Sequence, residues 1–398
     1  MDAREIRAAA ESIREWIIGH RRAFHMNPEL GLEEIETADA IESCLEGLGI
    51  DRTRRGTAVV GIIRGSRPGG TVALRADIDA LPIKEERDVP YRSRREGVMH
   101  ACGHDGHAAI LLGAARILAE RRASLAGNVK LFFQPAEETE GGALTMVRDG
   151  CLEDPRVDAV FGLHLMPYLP VGKVEVKKGA LNGASTKLKI VVRGKGGHGA
   201  YPESGIDAVL IASNVVMSLN ALVSRYVSPL EQAVITVGTI AGGASANIIA
   251  DEVRMSATMR TTSDEVRTTL LERARAVVEG VSAAFGGSGE LAVTYGYEAL
   301  VNHAAEVDLV GDAALELLGP GSVVWKEKPS MGVEDFSYFI KDRPGAFYHL
   351  GCGNPLKGIA APLHSAAFEI DEDCLSLGAA LQALVASRAL GRGKGEAS

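Results

Sequence analysis

The chain has 398 residues, 46% of them hydrophobic and 24% charged, with a formal net charge of -9. That length accommodates two or more hydrophobic cores, and the balance is that of an ordinary globular protein, not a disordered or fibrous one. The acidic excess, with no basic tract interleaved with aromatics, argues against a nucleic-acid partner, so an anionic substrate would be gripped by a few local Arg, Asn or His side chains.

The N-terminus, Met1-Asp2-Ala3-Arg4-Glu5, lacks the basic-then-apolar layout of a signal peptide. Ile6, Ala9, Ala10, Ile13 and Ile17 recur at helical spacing instead. A second helix is predicted over 37–48, with Ala38, Ile41, Leu45 and Leu48 on one face and Gly49 just past its end. Strands are expected at 57–64 and 71–75, a helix at 108–120, and buried strands at 128–133 and 159–163. This alternation predicts an α/β sheet whose strand ends carry the site. The pattern changes near Gly183. Strands are predicted at 186–192, 233–240, 252–260 and 291–297, with helices at 206–223 and 263–279. Such a grouping suits a small α+β sandwich. Helix resumes at 304–318, and a polar tail runs from 391 to 398. The reading is therefore of a small domain, 183–298, inserted into a larger one made of 1–182 plus 299–398. No apolar run approaches the ~18 residues of a membrane span, so no membrane partner is expected. Cys44, Cys102, Cys151, Cys352 and Cys374 are odd in number and scattered, which argues for a reducing compartment and a cytoplasmic protein.

Four short segments bring chemistry. Cys102 and His104 stand two residues apart in Met99-His100-Ala101-Cys102-Gly103-His104-Asp105-Gly106-His107, a turn that can aim both at one centre. A buried structural cysteine is the bland alternative. Glu137 and Glu138 follow Phe132-Phe133-Gln134-Pro135, a buried strand broken by proline. Carboxylates directly after such a strand need a partner; a cation supplies it for one, and the other is free to move protons. His164 ends an apolar strand and His364 sits in Pro362-Leu363-His364-Ser365; satisfied core histidines are the alternative for both. Thiolate, imidazole and carboxylate together form the ligand set of a divalent-metal site. Asp77 and Asp79 close the strand motif Arg75-Ala76-Asp77-Ile78-Asp79, and they and Asp105 are read as supporting groups, with His100 and His107 as lesser candidates. In the smaller domain, His198 lies in a glycine-rich turn, for which a plain tight turn is the alternative, and Asn247 and Arg260 read as ordinary sheet residues, although an arginine is well suited to gripping a carboxylate.

From Arg22-Ala23-Phe24-His25 to His364 the chain resembles the aminoacylase-type metallopeptidases. The nearest branch is that of N-acyl-L-amino-acid amidohydrolases, hippurate hydrolases, auxin-conjugate (IAA-amino-acid) hydrolases and N-acetyldiaminopimelate deacetylases. The resemblance rests on the blocks 75–82, 99–107, 134–138, 162–164, 194–198 and Gly332-Val333-Glu334-Asp335-Phe336-Ser337. It implies a di-metal peptidase-like catalytic domain, a mixed sheet flanked by helices, carrying an inserted α+β sandwich as lid and dimerisation domain. By the same resemblance Cys102, His104, Glu138, His164 and His364 would ligate two divalent ions per subunit (Mn, Zn, Co or Ni), with the Cys102 thiolate between them. Glu137 would be the general base on a metal-bound water. His198 would stabilise the oxyanion in the partner subunit's site, and Asn247 and Arg260 would hold the substrate carboxylate. Asp79 occupies the position of an acid that orients a ligand, and Asp77 stands where related branches have a histidine ligand. The implied substrate is a small N-acyl amino acid, and the implied assembly a homodimer or tetramer through the lid. Departures from the pattern after His198 and around Asn247 leave the acyl group open. An N-acetyldiaminopimelate deacetylase, a non-catalytic binding protein and a hydrolase using Cys102 as nucleophile are the competing readings.

Overall fold

Strands written as near-continuous apolar runs are buried on both faces, and the centre of the larger sheet is built that way. The computed structural model describes residues 1–139 and 141–392; the polar tail from 393 onward lies outside the described residues. The chain divides into two units, Met1–Gly179 with Val301–Lys328 and Asp335–Ser398, and Ala180–Leu300 with Pro329–Glu334.

The first unit holds an eight-stranded mixed sheet in the order Asp51–Arg55, Ala58–Arg64, Ala126–Gln134, Arg67–Asp77, Ala159–Pro170, Gly345–Gly353, Val174–Val176, Val323–Trp325. Its centre, from Ala126–Gln134 to Gly345–Gly353, is parallel. The hairpin Asp51–Arg55 and Ala58–Arg64 joins it antiparallel. Register sets Asp77 opposite Gln134, Arg75 opposite Gly162 and His164 opposite His349. Chemistry-bearing residues from several strands thus collect towards their carboxyl ends, where open α/β sheets place their sites.

Helices His104–Glu120 and Asp373–Gly391 are buried almost all round, as helices inside a core are. Lacking a polar face, Asp373–Gly391 gives no amphipathic signal, and the sequence reading passes over it; the wholly buried strand Gly345–Gly353 escapes for the same reason. By length and composition, Ala208–Tyr226 and Asp373–Gly391 are both sufficient to cross a membrane, contrary to the expectation that no stretch comes near it. The second is mostly buried inside its own unit.

The second unit is an antiparallel sheet in the order Ala233–Gly242, Glu252–Thr261, Ala184–Arg193, Ser288–Tyr295. Leu188, Ile190 and Val192 alternate inward and meet Ile211, Val215 and Leu219 of Ala208–Tyr226 and Leu270, Ala274 and Val278 of Asp264–Ala284. Each helix starts at a side-chain cap: Asp207 accepts the N–H of Val209 and Leu210, and Ser263 that of Val266. A mixed α/β sheet flanked by helices, with a separate α+β unit, is the fold class anticipated from the sequence.

Candidate metal centre

Helix His104–Glu120 begins four residues earlier than its periodicity suggests. The reason is Gly103, whose φ of +88 turns the chain between Cys102 and His104, a conformation that costs a residue with a Cβ about 1–2 kcal/mol. Both flanking side chains are buried. Cys102 Sγ lies 3.4 Å from His164 Nε2 and 3.3 Å from His364 Nε2. His364 Nε2 is 3.0 Å from Glu138 Oε1, which is 4.0 Å from His104 Nε2. Donor atoms of Cys102, His104 and His164 lie within 4.8 Å of one another, as do those of Cys102, Glu138 and His364, and of His104, Glu137 and Glu138. Four segments distant in sequence therefore converge on one centre, with Glu137 beside it.

The imidazoles are oriented from behind. His104 Nδ1 donates to Asp79, at 3.0 Å to the backbone oxygen and 3.1 Å to Oδ1, which turns Nε2 towards the centre. His164 Nδ1 donates to Leu165 O at 2.8 Å, so its Nε2 also faces inward unprotonated. Asp79 Oδ2 accepts the Glu138 N–H at 3.0 Å. Asp79 thus grips one candidate ligand by its ring and another by its backbone, the usual work of an outer carboxylate. Asp77 lies 3.6 Å from His104 Nε2, and accepts from Arg75 at 2.7 Å and from His107 Nδ1 at 2.5 Å. Because Leu165 N–H donates to His107 Nε2 at 2.9 Å, both nitrogens of His107 are used within the protein. Asp105 is turned towards Arg21 and His25, each 2.8 Å from its Oδ2. Burial alone would raise Asp105, yet Arg21 and His25 hold it well below the carboxylate range. His100 is buried with neither ring nitrogen hydrogen-bonded, and burial lowers it to about 4.

Burial and the carboxylates of Glu138 and Glu137 push the Cys102 thiol well above its ordinary value. Burial opposes a charge on His104, but Asp77 and Asp79 bring it up to about 10. Burial, then His107, drives His164 well down. His104 Nε2 is buried with no hydrogen-bond partner, 3.6 Å from Asp77 and 4.0 Å from Glu138, and the Glu138 carboxylate has imidazoles, His364 and His104, as its counter-charges. Thiolate, imidazole and carboxylate donors around an unpartnered ring nitrogen fit a divalent cation, which would take the place of the protons on Cys102 and His104.

The sequence reading assigns no role to three residues beneath this centre. Fully buried Arg75 donates from Nε to Gln134 Oε1 at 2.7 Å and from Nη2 to Asp335 Oδ1 at 3.0 Å. Gln134 Nε2 donates to Asp335 at 2.8 Å, tying down the strand end that leads into Glu137 and Glu138. Burial pushes Asp335 up to about 6 against the pull of Arg75. In sequence their one signal is membership of the blocks 75–82, 134–138 and 332–337.

In the second unit, His198 is exposed on the short strand Gly197–His198, and its Nδ1 accepts the Ala200 N–H at 3.1 Å. Asn247 is exposed, its Oδ1 accepting from the Ser245 hydroxyl at 2.6 Å. Arg260 is half-buried on Glu252–Thr261 and donates to Thr258 Oγ1 at 2.6 Å. Burial lowers its pKa.

A model of the peptidase family M20/M25/M40 matches residues 73–388. The Saccharolobus solfataricus protein named thermostable carboxypeptidase 2 is 40% identical over 383 residues, covering 94% of this chain and 96% of its own. The Bacillus subtilis N-acetyl-L-cysteine deacetylase is 42% identical over 370 residues, covering 92% of this chain and 86% of its own. The crystal structure of the Bacillus subtilis YXEP protein, a dinuclear metal-binding peptidase from the M20 family, superposes with a TM-score of 0.85 at 33% identity, covering 96% of this chain and 99% of that one. With that match over most of its length, and with soft and hard donors gathered at its strand ends, the chain belongs to the M20/M25/M40 peptidases and is a metal-dependent hydrolase of linear amides.

Proposed function

We propose that this enzyme releases a free amino acid and a carboxylic acid from a small N-acyl amino acid. The observation that carries the reading is the placement of Glu137, buried yet within 4.8 Å of donor atoms of both His104 and Glu138. Cys102, His104 and His164 would hold one divalent ion, and Cys102, Glu138 and His364 a second. Bound there, the ions polarise the amide carbonyl and acidify water. Glu137 takes a proton from the attacking water as the carbon–oxygen bond forms. It returns that proton to the leaving nitrogen as the carbon–nitrogen bond breaks, so the carboxylate is regenerated in each turnover.

His198 is proposed as the donor to the developing oxyanion. Because Ala200 N–H donates to His198 Nδ1, the neutral ring carries its proton on Nε2 and can donate from there. A preorganised donor of this kind contributes roughly 3 kcal/mol by comparison with oxyanion-hole deletions. Arg260, half-buried and with no ion pair to a described carboxylate, is proposed with Asn247 to hold the substrate carboxylate. A homodimer is proposed through the lid unit, whose edge strand Ala233–Gly242 and helix Ala208–Tyr226 expose Ile240, Leu210 and Met217. Sedimentation showing a fully active monomer would remove that part.

The test is release of amino acid from acetyl-, benzoyl- and indoleacetyl-amino acids, N-acetyldiaminopimelate and dipeptides, by chelated and metal-reloaded enzyme. Metal-dependent release from an N-acyl class supports the proposal. Release from N-acetyldiaminopimelate alone or from dipeptides alone reassigns the substrate, and turnover surviving chelation overturns the metal mechanism in favour of Cys102 as a nucleophile.

A further inference from the structure

The turn that presents Glu137 and Glu138 is held in a conformation its own residues disfavour. Ala136 is fully buried with φ at +54, a region where a Cβ costs about 1–2 kcal/mol. Four described non-glycine residues have positive φ: Leu32, Ala136, Asp154 and His364. His364 is itself a candidate ligand, Ala136 precedes Glu137, and Leu32 belongs to the segment packed on Ala136. Backbone strain persists only where the surroundings over-determine it, so the anchor of Ala136 can be sought directly.

That anchor is Glu34. Its side chain is fully buried; Oε1 accepts the Ala136 N–H at 2.8 Å, and Oε2 accepts the Thr57 hydroxyl at 2.8 Å. The same segment closes on the turn through Gly31, where a Cβ would stand 2.5 Å from Thr139 Oγ1 and 3.1 Å from Ala136 Cα. On the other side, the Ala136 carbonyl accepts the N–H of Gly141 at 3.1 Å and of Gly142 at 3.3 Å. Both polar backbone groups of Ala136 are therefore fixed, the N–H by a single carboxylate more than a hundred residues away.

We propose that Glu34 is a positioning residue for the reaction: its bond to Ala136 N–H locks the left-handed turn and thereby sets where Glu137 and Glu138 stand at the metal centre. Glu34 touches neither substrate nor ion. The inference rests on the reading of Glu137 as the proton carrier. A purely structural buried carboxylate would change stability when removed and leave turnover by the folded fraction alone.

The test uses full-length, metal-loaded Glu34→Ala, Glu34→Gln, the double variant Glu34→Ala/Ala136→Gly, and Glu137→Gln, with metal content and folding checked for each. Glu34→Ala is expected to lower kcat by roughly 10- to 100-fold, the scale of a small misplacement of reacting groups, with KM little changed. Glu34→Gln restores most of kcat, since its amide oxygen still accepts from Ala136 and its NH2 donates to Thr57. The double variant recovers part of the loss, because glycine adopts the positive φ unaided. If Glu34→Ala does not fold, Thr57→Val carries the test: a lower kcat at full metal content supports the proposal, and an unchanged kcat overturns it. A folded Glu34→Ala enzyme within about twofold of the parent kcat, or Glu34→Gln as impaired as Glu34→Ala, also overturns it. An active Glu137→Gln enzyme refutes the underlying proton-carrier reading instead, so the two failures are told apart.

Discussion

Asp79→Asn is the most discriminating single change in the metal centre, because it alters one atom and leaves shape alone. Asp79 is buried and accepts two hydrogen bonds with its two oxygens, from His104 Nδ1 at 3.1 Å and from the Glu138 backbone N–H at 3.0 Å. Asparagine offers one acceptor and one donor, so one of those buried N–H groups must face an NH2. If the amide oxygen stays on Glu138, His104 still has the Asp79 backbone oxygen at 3.0 Å, and its ring is held by one bond in place of two. The asparagine NH2 is then a buried donor facing another donor, and leaving it unsatisfied costs about 1–3 kcal/mol. Because both N–H groups that Asp79 accepts from belong to candidate ligands, that loss falls on the ion-binding geometry; at about 1.4 kcal/mol per tenfold it weakens affinity roughly 5- to 140-fold, on the scale found for outer-shell partners. Competition with a chelator of known affinity measures it, and the same titration on Asp105→Asn serves as a contrast, since Asp105 faces Arg21 and His25. Affinity in Asp79→Asn equal to that of the parent, at full occupancy and unchanged fold, would refute the argument that Asp79 orients the site.

Glu137→Gln should lose roughly 100- to 10,000-fold in kcat while keeping its metal, the share that general acid–base transfer contributes; single-turnover rates with metal analysis on the same sample decide it. Arg75→Met removes the guanidinium between Asp77 and Asp335 and should destabilise the fold by about 3–5 kcal/mol, the cost of stranding a buried charge. Urea denaturation checks this, and a midpoint close to that of the parent would argue that the network is decorative. The pH response of stability can be read at Glu175, away from the proposed proton shuttle. Burial would raise it, but bonds from His349, Lys326 and Tyr168 hold it near 2, below the ordinary 4.5. Stability from this depressed carboxylate is present above about 4.5 and lost as the pH falls towards 2. The Tm gap between the parent and Glu175→Gln should therefore close over that interval, and a gap independent of pH would contradict the assignment.

The candidate ligands are legible in the sequence because each stands in a short run of unusual chemistry at a strand end: Cys102 and His104 around Gly103, the glutamate pair after a buried strand, His164 closing another. The supports are not legible, and the reason is physical. Glu34 lies in Glu33-Glu34-Ile35-Glu36, a charged run just ahead of the helix predicted from 37; its burial depends on a contact with Ala136 that only the folded sheet creates. Arg75 looks like a strand-end charge until the register brings Gln134 and Asp335 to it. The helix Asp373–Gly391 is hidden for the opposite reason, being apolar on nearly every side and so without the periodicity that reveals an amphipathic helix.

The counter-charges at this centre divide by chemistry. Asp77, Asp105 and Asp335 are met by Arg75 or Arg21, guanidiniums that cannot give up their protons in a protein. The ion pairs of Glu138 are with His104 and His364, and Cys102 lies against His164 and His364. An imidazole can lose its proton and turn from counter-ion into ligand; a guanidinium cannot. Asp77 and Asp105 also bond to His107 and His25, but their arginine partners keep them as fixed counter-charges. Asp79, paired with His104 through Nδ1, orients that ring from behind. Glu138 and Cys102, facing imidazole Nε2 atoms alone, are the groups able to exchange protons for a cation. The same division assigns Asp77, 3.6 Å from His104 Nε2 yet bound to Arg75, to the frame that holds the centre and not to the ligands that fill it.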